Sequence, residues 1–191
     1  MIPLVLRAIF FCLLSGFKMN LIASHRAADT GFAPLIEVDM QADVFGADWT
    51  HCDHLSSYVA RMVSHNRADS LLYSNLLSSA LNELLETVFR AHATEGTFRC
   101  RIWRSGATDR VELVIPCKAD QRNFYLDTVA LARDADVAER YRGMLFADSQ
   151  FDTRTGLLEL AVDYEAAITV EPEGEDAIRL TTDLVLEAEN R

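Results

Sequence analysis

The densest run of metal-capable side chains is His51-Cys52-Asp53-His54. Imidazole nitrogen, thiolate and carboxylate all ligate transition metals, and His51 and His54, three apart, can share a helix face. No further ligand is in evidence, and polar residues around an Asp are ordinary at a helix N-terminus. A polar helix start is therefore the preferred reading of this run. Cys12, Cys52, Cys100 and Cys117 include no CxxC pair, so neither a zinc knuckle nor a thioredoxin-type motif is supported. Cys100 and Cys117 fall on two neighbouring strands, yet free buried thiols are the expected state. No GxSxG, HExxH, P-loop or GxGxxG occurs, and Ser, His and Asp are scattered without triad spacing. His65 and His92 sit at helix ends, where a cationic imidazole is favourable. Trp49 and Trp103 read as packing residues.

The second chemical candidate is the polar stripe that holds Asn82, Glu83, Glu86 and Thr87. Its helix begins at a cap on Asp69 or Ser70 and ends by Gly96. At 100° per residue, Leu77, Leu81, Leu84, Leu85 and Val88 fall on one side, with Ser79, Asn82, Glu83, Glu86, Thr87 and Arg90 on the other. Composition alone reads the second side as solvated.

The other elements follow from periodicity and turn chemistry. Residues 34–40 alternate as a strand, and 45–48 read as a turn. A helix opens at Asp48 or Thr50 with Leu55, Tyr58, Val59, Met62 and Val63 at helical spacing. Thr97–Arg104 and Arg110–Cys117 alternate around Ser105-Gly106-Ala107-Thr108-Asp109, a β-hairpin. Gln121–Phe146 reads as helical, with Phe124, Val129, Leu131, Val137, Tyr141 and Leu145 inward. After a polar loop over 148–155 come a short helix at 156–166 and two strands at 167–170 and 178–186. The turn Pro172-Glu173-Gly174-Glu175 joins those strands. This order predicts an α+β two-layer sandwich, a mixed or antiparallel sheet with helices on one face, in one domain over 34–191.

The segment SALNELLETVFRAHA resembles the N-box helix of the histidine-kinase-like (GHKL) ATPases. It is closest in form to the small regulators of bacterial partner-switching systems, and the element order after it is also similar. The resemblance implies a helix that presents an acid and, four residues later, an Asn that binds Mg²⁺. Glu83 takes the acidic place, and Thr87 stands where the Asn would be. A threonine hydroxyl ligates Mg²⁺ in other nucleotide sites. The DxGxG box that reads adenine is absent, with Pro116-Cys117-Lys118-Ala119-Asp120 in its place. The phosphate-covering loop reduces to Thr153-Arg154-Thr155-Gly156-Leu157, at a helix start. The resemblance thus implies a nucleotide site built from Glu83, Thr87, Arg154, Thr155 and Gly156, in eroded form. Glu83 would be the base, and Thr87 the ligand of Mg²⁺ beside ATP. It also implies a protein partner, either a STAS-type protein or a response regulator, and a homodimer. A regulatory protein with a degenerate site is the leading expectation, and a small atypical kinase or ATPase is the alternative.

The formal net charge of −11 disfavours nucleic acid, which calls for a basic face. Residues 2–17, IPLVLRAIFFCLLSGF, are almost wholly apolar but short for a membrane span of about 20 residues. A cleaved signal, an anchor and an upstream extension with Met19 as the true start are the alternatives. The third is the expectation here. Residues 1–33 are then an N-terminal extension and the protein is cytoplasmic. Export or tethering through 2–17 is the other outcome.

Overall fold

A computed structural model describes residues 18–20, 31–91, 95–146 and 152–186. In chain order the elements are β1 (Lys18–Asn20), β2 (Ala33–Gln41), α1 (Ala42–Ala47), α2 (Thr50–Val63), α3 (Ser70–Arg90), β3 (Thr97–Ser105) and β4 (Thr108–Pro116). They continue with α4 (Ala119–Ala132), α5 (Val137–Leu145), α6 (Thr155–Asp163), β5 (Ala167–Pro172) and β6 (Ala177–Val185). The six strands form one sheet in the order β1-β2-β3-β4-β6-β5, and every pairing is antiparallel. The expected α+β two-layer sandwich is the observed fold, with the antiparallel form of the sheet.

Strand alternation sets the two faces of the sheet. Ile36, Val38 and Met40 of β2 are buried, as are Phe98, Cys100 and Ile102 of β3, Val111, Leu113 and Ile115 of β4, and Ile178, Leu180 and Leu184 of β6. The register places Leu113 between Cys100 and Leu180, so one apolar row crosses three strands. The opposite face carries cross-strand ion pairs. Arg99 Nη2 donates to Asp39 at 2.9 Å, Arg101 Nη1 to Glu112 at 2.8 Å, and Arg110 Nε and Nη2 to Asp183 at 2.7 Å each. Such half-exposed pairs contribute little energy each, but they keep this face polar and fix the register.

The β3–β4 loop is two residues long, and Gly106 at its first position has φ +59°, as a type II′ turn requires. Helix α3 is capped by Asp69, whose Oδ1 accepts from the Leu72 amide at 3.0 Å. Leu77, Leu81, Leu84, Leu85 and Val88 are fully buried against the sheet and α2, as their periodicity predicts. Each full burial contributes roughly 1.5–3 kcal/mol.

Several local readings are corrected. Residues 42–47 form helix α1, not a turn, and Phe45 on it stacks on Phe98 with centroids 5.0 Å apart. The long helix expected over 121–146 is two helices, α4 and α5. No Gly or Pro marks the break, but the Asp134 carboxylate accepts from the Asp136 amide at 3.4 Å, and Arg133 Nε donates to the Ile168 carbonyl at 2.9 Å. Leu145, expected inward, is exposed, and so is Trp49, expected to pack. Strand β1 falls within the stretch 1–33 expected as an N-terminal extension, and it pairs with β2. Residues 2–17, Cys12 and His92 lie outside the described residues. None of the described helices is long and apolar enough to cross a membrane.

Candidate functional site

Helix α3 carries Glu83 and Thr87 into contact with the first turn of α6. The approach is close because Gly156 has no side chain. A Cβ there would lie 2.7 Å from Thr87 Oγ1, 3.0 Å from the Glu83 carbonyl and 3.2 Å from Glu83 Oε2. Three of the five expected site residues therefore meet, although more than sixty positions separate the two segments. The other two turn away. Arg154 is engaged by Asp152 through Nε at 2.9 Å and Nη2 at 2.6 Å, and the Thr155 hydroxyl donates to the Asp152 carbonyl at 2.7 Å.

The polar stripe of α3 is only partly solvated, with Ser79 exposed but its centre covered. Thr87 is 0% and Glu86 7% exposed, and Glu83 is half-buried. The first turn of α6, invisible to a periodicity argument on α3 alone, covers Glu83 and Thr87, while Glu86 lies near Cys52 of α2. Within the stripe several polar groups find partners, whereas Asn82 Oδ1 is buried without one. Glu86 accepts from Asn82 Nδ2 at 2.7 Å and from Arg90, one turn on. Thr87 donates back to the Glu83 carbonyl at 2.9 Å, a bond that satisfies a buried hydroxyl within its own helix.

The electrostatics follow from this burial. Glu83 is pushed up to about 7, first by loss of water and then by the carboxylates of Glu159 on α6 and Glu86 on α3, with Arg90 opposing. Glu159 is raised for the same leading reason, and Tyr141 of α5 hydrogen-bonds to it. Chemically, Glu83 is a carboxyl poised to exchange a proton near neutrality.

Whether these residues suit Mg²⁺ and a nucleotide is decided by space and charge. Mg²⁺ takes near-octahedral oxygen coordination and usually keeps several waters. Thr87 is sealed between its own helix and Gly156, which leaves room for neither. A phosphate at the first turn of α6 would face the Glu83 carboxyl, and Arg154 is already committed to Asp152. As packed here, the residues do not fit a Mg²⁺-nucleotide.

The other sequence candidates resolve simply. His51 Nδ1 lies 3.4 Å from the Phe45 carbonyl, and His54 is exposed. Among the described residues no group of three or more His, Cys, Asp and Glu is placed to hold a metal ion. Cys52, Cys100 and Cys117 are free and buried.

Sequence reasoning missed a buried ion network at the opposite end of α3. Asp109, read as a turn residue, is 0% exposed. It accepts from Arg104 Nε at 2.6 Å and Nη2 at 3.0 Å, from Arg67 at 3.4 Å, and from the Tyr73 hydroxyl. Arg104 also donates to the Val63 carbonyl at 3.1 Å. The network ties the α2–α3 turn to the β3–β4 hairpin. A cavity of about 130 Å³ beside it is lined by Leu35, Ile36, Met62, Val63, His65, Asn66 and Arg104. The only local hint was an Asp at a strand start, which turns commonly carry.

No protein-family model matches the chain. No curated protein matches it either. Among solved structures, a chain of the SiaB–SiaC complex from Pseudomonas aeruginosa aligns with 96% of this chain and 99% of its own, at 10% identity and a TM-score of 0.43. Similarity that loose carries no argument about function.

Proposed function

We propose that the chain is a regulatory protein of histidine-kinase-like ATPase descent whose nucleotide site is degenerate, and that it acts by docking a protein partner. The observation that carries this reading is the closed contact of Thr87 with Gly156. The contact between the helix that resembles an N-box and the segment of Gly156 is one of close packing, which supports a site with no room for a nucleotide. By the same resemblance, the partner is a STAS-type protein or a response regulator and the protein is a homodimer; the cytoplasm is its proposed compartment.

A second reading, a small atypical kinase or ATPase, is favoured by one observation, the Glu83 carboxyl held near 7, where a general base works best at neutral pH. Calorimetry with ATP and Mg²⁺ separates the two. The regulatory reading expects no heat of binding. Micromolar binding that Glu83→Ala or Thr87→Ala abolishes would overturn it in favour of the enzyme.

A further inference from the structure

We draw no further inference here: the strongest candidate, the exposed apolar corner of Met62, Leu71 and Leu72 beside the cavity at the α2–α3 turn, carries nothing because nothing in the structure shows what covers it.

Discussion

Gly156 stands so close to Thr87 that a single added carbon would fall 2.7 Å from the threonine hydroxyl oxygen, with the Glu83 carbonyl 3.0 Å away on the same side. Helices α3 and α6 are packed at this point through backbone and a buried hydroxyl, with no slack for a side chain.

Gly156→Ala therefore forces α6 away from α3, because the neighbours that must yield include the backbone of a long buried helix. Overpacking of this kind costs about 1–3 kcal/mol. For a domain of this size the melting temperature drops by about 2–4 °C per kcal/mol. Thermal unfolding followed by circular dichroism measures it. An unchanged melting temperature would show that the crossing is looser than described.

The Glu83 carboxyl gives the fold a pH dependence of definite sign. Its folded value, about 7, lies above its ordinary value of 4.5. The native state thus holds this proton more tightly than the unfolded chain does. The stabilisation is complete below pH 4.5 and is lost as pH rises through 7. Urea unfolding at pH 5.5 and pH 8 is expected to show lower stability at pH 8 from this group, and Glu83→Gln is expected to flatten the difference. Equal pH dependence in wild type and variant would assign the titration elsewhere.

Asp109 balances arginines from two directions with no solvent to help it. Asp109→Ala leaves those guanidinium groups partly buried without their carboxylate, at a cost of about 3–5 kcal/mol. Tyr73→Phe removes only a neutral donor to a charged acceptor and is expected to cost about 1.5–3 kcal/mol. Denaturant midpoints at constant m-value rank the two. A ranking in which Tyr73→Phe is the worse variant would contradict the central role given to Asp109.

Cys52 and Cys100 are pushed up to about 12, chiefly by burial, and Cys117 is raised for the same first reason. The thiolate is the reactive form, so these thiols are inert in the folded protein. In a Cys12→Ser background, Ellman's reagent is expected to give no fast reaction under native conditions and full release of all three thiols in denaturant. Prompt native labelling of any one would place it nearer to solvent.

Periodicity made much of the framework legible. The apolar row Leu77, Leu81, Leu84, Leu85 and Val88 fixed the inward face of α3, and the alternation on either side of Gly106 fixed the β3–β4 hairpin, because both patterns are set by local geometry. The α4–α5 break was hidden, since it lacks Gly or Pro and depends on Arg133 reaching β5. Helix α1 was hidden too, because its six residues are too few for a helical period to register.

For the candidate site, the sequence by itself determined which residues stand four apart on α3, and that one glycine opens the segment of α6. The tertiary structure alone decided that these two places touch, that Glu86 and Thr87 are buried, and that Asp109 lies at the centre of an ion network. The reason is that a helix's polar stripe reports what one element presents, whereas solvation and charge depend on what a distant segment brings to cover it. Helix α6 turned a stripe that reads as wet into a dry contact and set Glu159 against Glu83. That one packing event set Gly156 against Thr87 and raised the Glu83 carboxyl to about 7.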